Sequence, residues 1–100
     1  MVKHIVIWKL TDSYEGMDQQ EIAQEVQRRI LAMKGTVPSL RHVECGIDFN
    51  RSERAWDVAL YSSFDDRAAL DEYQADPEHA KVKAFVGAVA REQAVVDYEV

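Results

Sequence analysis

The sequence predicts an α+β fold, with helices covering one face of a four-stranded antiparallel sheet. Three observations carry that reading. β-branched and aromatic runs stand at both ends of the chain, two apolar stripes of helical period are bounded by capping residues, and residues 40–64 hold two strand-like runs around a polar connection. At 100 residues, with 30% charged residues, 4 Gly and 2 Pro, the chain has the size and composition of one globular domain spanning 1–100.

The first strand runs from Val2 to Leu10, where Ile5, Val6, Ile7 and Trp8 form a continuous apolar run between Lys3 and Lys9. Thr11 to Gly16 is a polar connection. Asp18 and Glu21 have the spacing of a capping box and open a helix striped by Ile22, Val26, Ile30 and Met33, which Gly35 and Pro38 stop. Leu40 to Phe49 alternates, with Val43, Cys45, Ile47 and Phe49 on one face and His42, Glu44 and Asp48 on the other. Asn50 to Arg54 connects it to a third strand, Trp56 to Phe64, so these two strands form a hairpin. Asp65 or Asp66 then caps a second helix that turns Ala69, Leu70 and Tyr73 inward. Asp76-Pro77 interrupts it, with Asp76 as the N-cap and Pro77 the first residue of a third helix striped by Val82, Phe85, Val86 and Val89. Gln93 to Val100 is the last strand.

Strand, helix, strand, strand, helix, strand is the split βαβ order of ferredoxin-like (βαββαβ) folds. Parity puts His4, Val6, Trp8 and Leu10 on one face of the first strand and Ile5 and Ile7 on the other. In the third strand it separates Trp56, Val58 and Leu60 from Asp57, Ala59 and Tyr61, the latter group being expected toward the helices. One helix layer covers one side only. The open side, read as Ile5, Ile7, Trp56, Val58 and Leu60, is too apolar for a monomer, and a second copy packed sheet to sheet would cover it.

Several classes are disfavoured. Twelve Lys and Arg against 18 Asp and Glu give a net charge of −6, the wrong sign for nucleic acid or an anionic membrane. The single cysteine, Cys45, offers neither a disulfide nor a CxxC motif, which fits a reducing compartment. With no signal-like segment and no long apolar run, a soluble cytoplasmic protein is expected. His4, His42 and His79 lack the spacing of a helical metal site, and no phosphate-binding or nucleophile-elbow motif occurs. Neither a metal nor a cofactor is expected.

The stretch Tyr73-Gln74-Ala75-Asp76-Pro77-Glu78-His79 is the most informative one. With Asp76 as N-cap, His79 takes the third helical position, where the positive end of the helix dipole disfavours the imidazolium. Tyr73 lies on the inward stripe just before, and His4 points to the same side of the sheet as Val6 and Trp8. These three are the candidate catalytic residues, and Val6, Trp8, Val43, Asp57, Ala59, Val82 and Phe85 the candidate pocket lining. The plainer reading has His79 as a helix-end residue and Tyr73 as core. Cys45 reads as a small buried hydrophobe.

Lys3-His4-Ile5-Val6, Gly35 to Pro38, Gly46, Arg54 to Phe64, Tyr73 to His79 and Val95-Val96-Asp97-Tyr98-Glu99 together resemble the stress-responsive A/B barrel (Dabb) domain along nearly the whole chain. The resemblance implies a ferredoxin-like subunit that pairs into a dimeric α+β barrel. Within that family, olivetolic acid cyclase, a plant polyketide cyclase, closes a ring by cofactor-free aldol condensation with a tyrosine and a histidine as its acid–base pair. Those two match Tyr73 and His79, and a further pocket histidine matches His4. The sequence departs at Asp57 and Asp76, where the cyclase has histidines.

Three functions follow as expectations. The first is a cofactor-independent acid–base enzyme acting on a small carbonyl compound, with His79 as base and Tyr73 as hydrogen-bond donor to the developing enolate or alkoxide. The second is a stress-related binding or structural homodimer without turnover, which a pocket closed by Trp8 and Phe85 would favour. The third is a haem or oxygen-using monooxygenase on the same barrel.

Overall fold

The structure is a computed structural model and describes residues 1–100. β1 (Val2–Leu10) lies inside the sheet and alternates strictly between buried and half-buried residues. A two-residue ladder follows, β2 (Ser13–Tyr14) with β3 (Met17–Asp18), where the sequence reads as a plain polar connection. Glu15 and Gly16 both have positive φ, 47° and 83°, the requirement of a tight hairpin turn. α1 (Gln19–Ala32) begins at the predicted capping box: Asp18 accepts from the Glu21 backbone N–H at 2.9 Å, and the Glu21 carboxylate accepts from the Asp18 N–H at 3.1 Å. Its stripe of Ile22, Val26 and Ile30 is buried, and Met33 continues it into a 3-10 turn over Met33–Gly35.

β4 (His42–Ile47) and β5 (Val58–Phe64) are both shorter than their sequence pattern, because Asp48 to Asp57 forms an irregular connection. Phe49 therefore leaves the strand and is 92% exposed. α2 (Arg67–Ala75) is capped by Asp66, which accepts from the Ala69 N–H at 2.8 Å, while Asp65 pairs with Arg41. α3 (Pro77–Val89) runs directly into β6 (Ala90–Glu99), which starts three residues before the predicted Gln93. The sheet order is β4-β5-β1-β6 with every neighbouring pair antiparallel, the ferredoxin-like arrangement, and no helix is long and apolar enough to cross a membrane.

Register corrects the parity of β5. Residues opposite one another in an antiparallel pair share a face, and Trp8 faces Val58, Val6 faces Leu60 and His4 faces Ser62. Val58 and Leu60 are therefore buried under the helices, and Ala59 is on the open side. The apolar centre of the open face is formed by Ile5 and Ile7 on β1, Ala59 and Tyr61 on β5, and Ala94, Val96 and Tyr98 on β6, with Lys3, Lys9, His42, Glu44 and Glu92 around it. It stays apolar: Val96 is 54% and Tyr98 42% exposed.

Asp57 is also displaced from its expected place. It is buried where the connection returns to the sheet, accepting from the Leu10 backbone N–H at 2.7 Å and pairing with Arg51 at 2.7 Å. It serves the fold. Removing this acceptor leaves a buried N–H without a partner, so Asp57→Ala lowers stability by about 1–3 kcal/mol. Urea denaturation of the two proteins measures the difference.

Candidate active site

The site is built where α2 meets α3. Asp76 ends the first helix and caps the second, its backbone extended (φ −70°, ψ 132°) and its side chain accepting from the Glu78 N–H at 2.8 Å. Because Pro77 can only start a helix, the chain breaks between Tyr73 and His79 and folds the two rings onto each other. Their centroids are 4.1 Å apart with a 35° tilt.

Tyr73 is 1% exposed, packed on Phe64 at 5.0 Å and against the edge of His4 at 5.9 Å. Burial pushes its phenol pKa well above the ordinary value, so the hydroxyl stays protonated at neutral pH. That hydroxyl makes no hydrogen bond within the protein and is not sealed in the core, because Tyr73 lines a cavity of about 270 Å³ between α3 and the sheet.

His4 joins from β1. It is 5% exposed, and its Nδ1 is bonded to Asp97, the residue directly opposite on β6. A carboxylate there fixes the tautomer with the proton on Nδ1, leaving Nε2 as the acceptor. Asp97 also lines the cavity. It is the member of the site that reading residues one at a time misses, and the signal for it is pairwise: β1 and β6 antiparallel with His4 opposite Asp97.

The structure brings His4, Tyr73 and His79 together at one end of this cavity, with Val6, Trp8 and Val82 in its walls. Trp8 is held there by a 3.0 Å hydrogen bond from its indole N–H to Gln93. Four residues expected in the lining lie elsewhere. Val43 is buried on β4; Ala59 and Asp57 are placed as described above; Phe85 turns to the other side of α3, between Tyr14 and the Arg29 guanidinium. Helical geometry explains Phe85: it lies three residues past Val82 and one before Val86, beyond the edge of the stripe facing the cavity. His42 is on the open face against Tyr61, and Cys45 is a buried thiol that burial raises to about 12, too high for a nucleophile.

His79 occupies the third position of α3, and its Nδ1 is buried without a well-formed hydrogen bond, the Gln74 backbone being the protein group close enough to act on the ring. Such atoms are rare, and Arg29 Nε, outside this cavity, is the other one in the protein. Burial is the main cause that lowers its pKa below the ordinary 6.5, and the charge of Lys83 adds to it. A lowered value keeps the ring neutral, and able to accept a proton, at pH 7. An NMR titration of the histidine rings should find His79 titrating below an ordinary histidine, with a base function present above that lowered pKa and lost as pH falls through it.

Comparison with known proteins adds the lineage. The sequence profile of the stress responsive A/B barrel domain (Dabb) matches residues 2–100. An uncharacterised protein of Streptomyces coelicolor is 33% identical over 79 residues, 79% of each chain. A dimeric protein of unknown function and ferredoxin-like fold from Bacteroides fragilis superposes with a TM-score of 0.86 at 31% identity, over 99% of this chain and 95% of that one. Hydroxynitrile lyase from Passiflora edulis superposes at 0.82 over 99% and 92% of the two chains, and at 16% identity that likeness is one of fold. The strand order, the two-faced sheet and a profile match over nearly every residue lead to one conclusion: the chain belongs to the stress responsive A/B barrel domain family.

Proposed function

We propose that the protein is a homodimer in which each subunit is a cofactor-independent acid–base catalyst acting on a small carbonyl compound, in a reaction of the aldol, cyclase or lyase type. The observation that carries this reading is the convergence, at the end of one cavity, of an unpartnered buried phenol, a neutral imidazole stacked on it, and a second imidazole held by a carboxylate. Nucleophile-free enolate chemistry needs such a set: a base of suitable pKa, a donor for the oxygen that gains charge, and fixed geometry.

In this reading the substrate carbonyl oxygen accepts a hydrogen bond from Tyr73 Oη. His79 takes a proton from the neighbouring carbon, and the C–H electron pair becomes the enolate, with its charge on the oxygen that Tyr73 holds. The enolate carbon attacks a second carbonyl carbon, forming the C–C bond, and the resulting alkoxide takes the proton back from the His79 imidazolium. The reverse sequence cleaves the bond. His4 is fixed by Asp97 so that Nε2 accepts from a substrate hydroxyl or enol. The apolar walls limit water and strengthen each of these contacts.

Phe85 lies outside the cavity and Trp8 forms one wall instead of a plug, which supports a ligand-holding pocket over a closed structural dimer. Homodimerisation is supported by the apolar open face and by the dimeric Bacteroides fragilis neighbour. The test is enolisation of an aryl methyl ketone. In D2O, the protein should exchange the methyl protons of 4-acetylbenzamide faster than buffer of equal pH, with activity rising above the His79 pKa; no exchange above buffer contradicts the reading.

A further inference from the structure

His79, Lys83 and Gly87 are four residues apart on α3 and therefore share one stripe of the helix. Gln93, Val95 and Asp97 alternate on the helix side of β6, the edge strand of the sheet. All six line the cavity, which is thus a groove running from the acid–base end toward Gly87. At Gly87 an added Cβ would meet nothing within 4 Å, so that end is open.

Charge along this groove is uneven. Asp97 is committed to His4, and Lys81, two residues before Lys83, is paired with Glu78. Lys83 is exposed and lines the groove, and it takes part in none of the protein's ion pairs. It stands about one helical turn, four residues or roughly 6 Å of rise, beyond His79. A cation left unpaired at this position, in a chain of net charge −6, is suited to a charge that arrives with the ligand.

We propose that the substrate carries a carboxylate about one helical turn from its reacting carbonyl, and that Lys83 is the specificity-determining residue that binds it. This rests on the acid–base reading of the pocket. The carbonyl lies at Tyr73 and His79, the carboxylate lies at Lys83, and the remainder of the molecule runs between Trp8 and Val95 toward the gap at Gly87.

A matched pair of probes separates the two claims. 4-Acetylbenzoate and 4-acetylbenzamide share shape and ketone, and their para geometry sets the second group about one helical turn from the carbonyl. Calorimetric titration should show the wild-type protein binding the carboxylate about tenfold more tightly than the amide, with Lys83→Met removing that preference without weakening the amide and Lys83→Arg keeping it. Added salt should narrow the gap. Equal affinities in the wild type, or a preference that survives Lys83→Met, overturns the assignment of Lys83 and leaves the acid–base pocket standing. Failure of both probes to bind at millimolar concentration, or binding that leaves the His79 ring resonances unmoved, overturns both.

Discussion

Tyr73→Phe lowers the rate of probe enolisation by about a hundredfold or more and leaves the folded protein as stable as the wild type. The ring keeps its packing on Phe64, His4 and His79, and the only atom lost is a hydroxyl oxygen that faces the cavity and makes no hydrogen bond within the protein. Rate falls because the enolate oxygen loses the donor held by a buried ring, and one such hydrogen bond carries about 10²–10³ in rate. His79→Ala removes the base and should cost about 10²–10⁴. Exchange followed by NMR, beside thermal melts of each variant, distinguishes this from a structural role. A core tyrosine without chemistry predicts unchanged exchange in the Phe variant.

Ile7→Glu splits the dimer. Ile7 is on the open face of β1, flanked by Ala59 on β5 and Ala94 on β6, so it stands between two low neighbours at the middle of the sheet. A carboxylate there has no cation directly opposite, and covering it with a second sheet costs on the order of several kcal/mol. Size-exclusion chromatography with light scattering should report a dimer for the wild type and a monomer for the variant. Val96→Lys, on the neighbouring edge strand, should act in the same direction from a position 54% exposed in the single subunit. A wild-type protein that runs as a monomer at micromolar concentration contradicts the dimer.

Much of the fold is legible in the sequence because its signals are local. Asp18 with Glu21 starts α1, and Asp76 with Pro77 starts α3 and thereby stacks Tyr73 on His79. What the sequence hides is set by pairing between distant segments. Trp56 to Phe64 is apolar at both parities, so only the register with β1 tells that Val58 and Leu60 face the helices and Ala59 faces away. Asp57 shows the same gap: its partner, the Leu10 N–H, lies 47 residues away. Asp97 belongs to the site through a contact spanning 93 residues, and nothing local distinguishes it from the other carboxylates of the chain. Gly87 and Lys83 acquire meaning only once α3 lies across β6.

The measurement closest to the central claim is a crystal structure of the protein with 4-acetylbenzamide bound. The account predicts the ketone oxygen about 3 Å from Tyr73 Oη, the methyl carbon beside the His79 ring, and His4 next to both with its Nδ1 still on Asp97. A probe seated outside this cavity, or inside it with the ketone turned away from Tyr73 and His79, would contradict the acid–base reading.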